Sequence, residues 1–180
     1  MAEAQLSSIK TQTATLSLSP GIASWRQGDT NPFSFDENIE GGALKILFNG
    51  ATANGSVVNS WMAVRVQVPN SYVTGSDITL TVRAATSPTA NSSSTLDATA
   101  FKMDGKGEAN GADLIPTAAK DINATSFVNQ TFTIGGSLIA GDEIVIQLHA
   151  TTDDNGGTSN AIARISEIDL STTCFAKIWA

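Results

Sequence analysis

The chain has few of the side chains on which enzymes and metal centres depend. Its 180 residues include one cysteine, Cys174, and one histidine, His149, and only 15% of its residues are charged. A single cysteine cannot form an intramolecular disulfide, and one cysteine with one histidine cannot supply the several ligands that zinc requires. We therefore expect no disulfide scaffold and no zinc site, with Cys174 acting as a small buried apolar residue.

Basic runs and long apolar runs are also missing. The chain has ten lysines and arginines, scattered along it, and a formal net charge of −7. Nucleic-acid binding depends on cations that neutralise phosphates, so we expect no nucleic-acid partner. No apolar run approaches the length of a membrane span, and the first residues lack the cationic start and apolar core of a secretory signal. These observations predict neither membrane association nor secretion.

What the chain does have is alternation between apolar and polar side chains. Successive side chains of a β-strand point to opposite faces, so strict alternation predicts a strand with one buried and one solvated face. Two segments, 62–68 and 78–84, follow this pattern throughout. Their apolar positions are Met62, Val64, Val66, Val68, Ile78, Leu80, Val82 and Ala84.

Similar segments recur between turn-forming residues, and no segment predicts an amphipathic helix. In residues 161–170 the alternation slips, which predicts a β-bulge near Ser166. Residues 86–95 and 104–116 read as long polar connections. We therefore predict an all-β protein, a two-sheet antiparallel β-sandwich of jelly-roll type with an extended N-terminal arm. The arm is residues 1–32, with one strand at 13–19, and residues 33–180 form a single sandwich domain. Further strands are predicted at 33–35, 43–49, 96–103, 122–134, 143–150, 161–170 and 174–179.

His149 is the one candidate for a general base, and its surroundings in the sequence do not favour catalysis. Strand phase places it on a polar face beside Gln147. A Ser-His-Asp arrangement also needs a nucleophile on a strained turn, and no Gly-x-Ser-x-Gly motif is present. We interpret His149 as a surface residue and predict no catalytic residue and no enzyme activity.

Calcium is the metal that such a chain could bind, because it takes oxygen ligands from loops. Two turns are rich in them, but the second has Lys106 where an EF-hand-like loop needs an oxygen and Ile115 at its twelfth position. We interpret both clusters as solvated turn residues and expect no metal or cofactor. The two clusters are Asp153, Asp154 and Asn155, and Asp104, Glu108, Asn110 and Asp113.

Carbohydrate binding is a further possibility, since sugar-binding sandwiches offer aromatic platforms beside amides or carboxylates on a sheet face or in end loops. Trp25, Trp61 and Tyr72 are the candidate platforms. Trp61 and Trp179 fall at strand ends, where packing explains them better than ligand binding. For Trp25, in a polar loop, packing and binding remain equally open.

Over residues 33–170 the chain resembles the small jelly-roll proteins that tailed bacteriophages place on their virions as decoration or cement subunits. The resemblance implies binding to an assembled shell, often as a trimer, through an N-terminal arm that reaches neighbouring subunits. It supplies no functional residue. The segments that carry it are VQVPNSY (66–72), ITLTV (78–82), FTI (132–134) and GDEIVI (141–146).

This resemblance leads to the predicted function, a non-enzymatic capsid decoration protein that stabilises the outer surface of a virion assembled in the host cytoplasm. Its partners would be the major capsid protein or other virion subunits, and further copies of itself as a homo-oligomer. The cations of the arm are Lys10 and Arg26, too few for a position that lines a genome. Two alternatives remain, a carbohydrate-binding module or adhesin domain, and a shell-forming jelly-roll capsid subunit.

Overall fold

The computed structural model describes residues 11–17, 33–40, 43–88, 92–104, 109–156 and 160–176. Trp25, Trp179, Lys10, Arg26 and most of the predicted arm lie outside these residues. Within them the chain forms eleven β-strands and no helix, and so no helix that could cross a membrane. The strands are β1 (Thr11–Ser17), β2 (Ser34–Glu40), β3 (Ala43–Asn49), β4 (Val58–Gln67), β5 (Ile78–Ser87), β6 (Ser93–Met103), β7 (Ala109–Asn110), β8 (Lys120–Asp121), β9 (Val128–Ile134), β10 (Glu143–Asp153) and β11 (Ile162–Phe175).

The strands form two antiparallel sheets. The six-stranded sheet has the order β2-β3-β11-β5-β9, and its sixth strand, β1, also pairs with β11. The five-stranded sheet has the order β4-β10-β6-β7, and its fifth strand, β8, also pairs with β6. Strand β11 is long enough to pair with two strands along one edge, β3 at Arg164 and Ile165 and β1 from Asp169 onwards. Strand β6 likewise pairs with two short strands, β8 at Thr95 and Leu96 and β7 at Lys102 and Met103.

The connectivity is that of a jelly roll. In the six-stranded sheet β3 pairs with β11 and β5 with β9, while in the five-stranded sheet β4 pairs with β10 and β6 with β8. Successive strands from each end of the chain therefore meet in nested pairs that alternate between the two sheets, which is the double-sheet arrangement of this fold. This confirms the predicted fold class. Of the resemblance to phage decoration proteins, the structure supports the jelly-roll fold.

The core lies between the two sheets and consists of the inward-facing side chains of each strand. Burial alternates residue by residue along the whole of β10, as expected for a strand with one buried face. Each buried leucine, isoleucine or phenylalanine contributes roughly 1.5–3 kcal/mol relative to exposure. The largest fully buried side chains are Phe132, Met62, Leu80, Leu96, Ile115, Ile122, Ile134, Leu138, Ile144, Ile146 and Leu148.

The polar connection predicted over residues 86–95 is too long. Strand β5 continues to Ser87 and β6 begins at Ser93, so strand covers five of these ten residues. Thr86 and Ser94 occupy inward positions and are buried. Threonine is a good strand former, so the polarity of these residues did not by itself indicate a loop.

The end of the chain differs from its prediction in one respect and agrees in another. The strand predicted over 161–170 and the start of the one predicted over 174–179 belong to one strand, β11, which runs from Ile162 to Phe175, while residues 177–179 lie outside the described residues. The predicted bulge is confirmed, because the register with β5 shifts between Ile165 and Glu167. The extra residue restores the inward orientation of the later part of the strand. Of the strand predicted over 122–134, the part that is strand is β9, and residues 122–127 form the loop that separates it from β8.

Candidate functional site

The outward face of the five-stranded sheet carries the candidate site. Strand β10 lies between β4 and β6, and its register pairs His149 with Trp61 on one side and with Asp97 on the other. Directly paired residues of antiparallel strands project from the same face of a sheet. The three side chains therefore form one row across this face, and each is partly exposed.

Trp61 and His149 form a stacked ring pair. Their ring centroids are 3.7 Å apart and their planes differ by 6°. Stacked aromatic pairs contribute about 0.5–1.5 kcal/mol beyond the area that they bury. The two residues project from neighbouring strands, β4 and β10, and both are partly exposed. The orientation of the ring pair is thus set by two strands.

Polar contacts hold the imidazole in this orientation. His149 Nε2 lies 3.0 Å from Asn59 Oδ1, and Thr151 Oγ1 donates a hydrogen bond of 2.9 Å to the same oxygen. An amide oxygen can only accept, so Nε2 carries the proton in this arrangement. Asn59 and Thr151 are themselves directly paired across β4 and β10, so the network is anchored in regular strand structure.

Beside the ring pair lies a groove of about 350 Å³, which is within the usual range for small-ligand sites. Its walls combine aromatic rings with a carboxylate, an amide and a hydroxyl. Gly111, in the loop after β7, closes one side with a positive φ of 95°. The lining residues are Trp61, Asp97, Thr99, Phe101, Gly111, Gln147 and His149.

An ion pair lies two rows away on the same face. The Arg65 guanidinium contacts both carboxylate oxygens of Glu143, one of them through Nη2 at 2.7 Å. This hydrogen bonding raises the pKa of Arg65, since the bound carboxylate favours the charged guanidinium, although desolvation opposes the effect. The charge of Arg65 is therefore compensated within the face.

A second cavity, of about 180 Å³, lies between the two sheets near β1. It is bounded chiefly by apolar core side chains, including Val66, Ile78 and Leu170. A binding site for a polar ligand needs polar groups that fix its orientation. We therefore treat the groove beside Trp61, and not this cavity, as the candidate site.

The structure gives different roles to the residues that the sequence suggested as sugar platforms or as a general base. Tyr72 is 3% exposed, and its hydroxyl donates to the carbonyl of Ser76, so it is a core residue and no platform. His149 lies on the outward face beside Gln147, as strand phase predicted. Trp61, for which packing was the preferred interpretation, both packs against His149 and lines the groove.

The two acidic turns use their carboxylates to hold the backbone. Asp154 is fully buried and accepts hydrogen bonds from the amides of Gly55 at 2.7 Å and Gly156 at 3.2 Å. Asp113 Oδ1 likewise accepts from the amides of Ala100 and Ile115. Among the residues that the structure describes, no three His, Cys, Asp or Glu side chains converge to hold a metal ion.

No protein-family model and no curated protein sequence matches the chain. Among solved structures it is similar to the CBM22-1 xylan-binding domain from Paenibacillus barcinonensis Xyn10C, with 12% identity over 91% of this chain and 87% of that chain and a TM-score of 0.44. It is also similar to the C-terminal CBM6 of LamC, a marine laminarinase from Zobellia galactanivorans, with 14% identity, coverage of 88% and 100%, and a TM-score of 0.46. A chain of the infectious bursal disease virus Gx strain is similar at 13% identity and a TM-score of 0.45, over 94% of this chain and 33% of that chain. At such identities and TM-scores, no residue role passes from these proteins to this chain.

Proposed function

We propose that this protein is a non-catalytic carbohydrate-binding domain whose sugar site is the groove beside the Trp61–His149 pair. The observation that carries the proposal is the partly exposed ring stack, which borders a groove that also contains an amide, a carboxylate and a hydroxyl. This function is the first alternative predicted from the sequence, a carbohydrate-binding module or adhesin domain. We prefer it to capsid decoration, because the described residues offer a defined groove for a sugar.

The chemistry of the groove fits a sugar. A pyranose ring has a face of C–H groups, which gains from leaving water against an aromatic ring, and a rim of hydroxyls, which must keep hydrogen bonds. The partly exposed Trp61–His149 pair and Phe101 can cover the C–H face. Gln147 and Thr99 offer neutral hydrogen bonds of about 0.5–1.5 kcal/mol each, and Asp97 a charged one of about 1.5–3 kcal/mol.

The site is also organised before any ligand binds. Its side chains project from β4, β10 and β6, which pair over most of their lengths. The ring stack and the bonds to Asn59 fix the imidazole plane. Side chains that are already ordered lose little entropy on binding, so more of the contact energy appears as affinity.

The test is a glycan array followed by isothermal titration calorimetry with purified protein. We expect binding to at least one oligosaccharide and at least a tenfold loss of affinity in Trp61→Ala and in His149→Ala. Phe175→Ala is the matched control, because Phe175 is an exposed aromatic residue, 45% accessible, on the other sheet. Absence of glycan binding, or full binding by Trp61→Ala, would refute the proposal.

The second candidate is the capsid decoration role predicted from the sequence. It is supported by the jelly-roll connectivity and by large apolar side chains that are about half exposed and could contribute to subunit contacts. Sedimentation at high concentration and binding to capsids test it, and a monomer that ignores capsids would refute it. The exposed apolar side chains are Val57, Val128, Ile139 and Phe175.

A further inference from the structure

Among the described residues, the charges around the groove are mostly negative. Asp97 lies inside it, between His149 on β10 and the short strands beyond β6. Asp121 is exposed on β8 and is paired in register with Thr95, a residue with the same outward orientation as Asp97. Asp153 lies at the end of β10, on the same face as His149.

The described cations near this sheet do not balance Asp97. Arg65 shares the face but is bound to Glu143. Lys102 pairs with Asp142 at 2.8 Å, away from the groove. Lys120 is in register with the buried Leu96, and its ammonium lies 6.0 Å from the ring centroid of Phe132 on the core side of the sheet.

A carboxylate or sulfate on a sugar in this groove would therefore lie close to Asp97 without a described cation to pair with. Like charges repel most strongly where water is partly displaced, as it is in a groove that holds a ligand. A sugar hydroxyl, in contrast, can donate a hydrogen bond to the same Asp97 carboxylate. The same residue would thus attract an uncharged sugar and repel an acidic one.

We infer that the groove selects uncharged sugar units and excludes acidic ones such as uronates, with Asp97 as the specificity-determining residue. This inference rests on the proposed function, because it concerns what the same groove accepts. It differs from that proposal in assigning the preference between sugars to one carboxylate.

The test measures affinities by titration calorimetry for matched pairs of oligosaccharides. The probes are cellohexaose, mannohexaose and galactohexaose, each beside its C6-oxidised uronate. For any pair that binds, we expect at least tenfold weaker binding of the uronate at low salt, and a smaller difference at high salt because screening weakens the repulsion. We expect Asp97→Asn to reduce the difference at least threefold by strengthening uronate binding.

Asp121→Asn is the matched control, since it removes one negative charge from the same face outside the groove lining, and we expect it to leave the ratio nearly unchanged. Equal affinity for both members of a pair would overturn the inference and leave the proposed function standing. An unchanged ratio in Asp97→Asn would overturn the role of Asp97. No binding of any probe, neutral or acidic, together with no binding on the glycan array would overturn both proposals. Asp97 is partly exposed, and the salt dependence of the unaltered protein provides a readout that no folding defect can affect.

Discussion

The Trp61 indole and the His149 imidazole lie nearly parallel across the β4–β10 pair, with their centroids 3.7 Å apart. The two rings join the edge strand β4 to its neighbour β10 and form one wall of the groove. The same contact thus stabilises the sheet and shapes the candidate site. Replacing either ring should affect both, with the larger effect on binding, because stability draws on the whole core.

Asn59 should act as a positioning residue for His149. In Asn59→Ala the imidazole loses its acceptor at Nε2, so we expect a three- to tenfold loss of sugar affinity and a small change in stability. Calorimetry measures the affinity, and the ¹⁵N shifts of the imidazole report its tautomer. Asn129→Ala, an exposed strand asparagine on the other sheet, is the control. Unaltered imidazole shifts in Asn59→Ala would contradict this role.

Asp154 should be important for stability although it lies in a turn. Asp154→Ala leaves the amides of Gly55 and Gly156 without their acceptor, so we expect a loss of about 3 kcal/mol in the free energy of unfolding. Urea denaturation measures it. Asp153→Ala, in the same turn, removes one bond from the amide of Asn155 and should cost about 1 kcal/mol. Equal losses in the two variants would show that burial of Asp154 is unimportant.

Gly50 should tolerate no side chain. A Cβ at this position would lie 2.8 Å from Ser60 Oγ and 3.1 Å from Ser60 Cβ, so Gly50→Ala should cost about 1–3 kcal/mol through overpacking. Gly135→Ala is the control, because its nearest neighbour, the Leu114 carbonyl oxygen, is 3.9 Å away. Thermal unfolding compares the two. Ser60→Gly loses the bond from the Ala51 amide to Ser60 Oγ, so the comparison is a double-mutant cycle. We expect Gly50→Ala to cost less in the Ser60→Gly background than in the wild type, and an equal cost in both would exclude this clash as the cause.

Asp142 should make stability depend on acid pH. Burial raises its pKa, but hydrogen bonds from Lys102 and from the Ile139 amide outweigh this, so the pKa lies below its ordinary value of 3.8. A depressed folded-state pKa means that the stabilisation is present above the ordinary value and is lost as pH falls through the folded one. Asp142→Asn should therefore cost about 1 kcal/mol at pH 7 and progressively less between about pH 5 and pH 2.

Urea denaturation across this pH range measures the effect of Asp142→Asn. Lys102→Met should reduce the acid dependence in the same direction, because it removes the partner at 2.8 Å. A difference between wild type and Asp142→Asn that stays constant with pH would contradict the assignment to this carboxylate.

The strands that could be predicted are those whose burial follows a period of two. Segments 78–84 and 143–150, and 62–68 up to the end of β4 at Gln67, lie in strands with the predicted faces. A half-buried strand shows this pattern whatever its neighbours are. The bulge near Ser166 was visible for the same reason, as a slip in that pattern. The segment 86–95 was misread because serine and threonine are common in loops and in strands alike, and burial of Thr86 depends on the opposite sheet.

The candidate site was only half accessible to sequence reasoning. Alternation placed His149 on the outward face, and Trp61 was identified as a possible platform. Their contact depends on the pairing of β4 with β10, and the nearness of Asp97 on the pairing of β10 with β6. No feature of any of the three segments specifies these partners.

The amino-acid sequence by itself therefore determined the strand content, the inward and outward faces, and the shortage of catalytic and metal-binding groups. The tertiary structure alone decided which strands lie side by side and in what register, and hence which outward side chains share a groove. The physical reason is that burial periodicity is a local property of each strand. Strand pairing, in contrast, is selected by the free energy of closing the whole sandwich around one core.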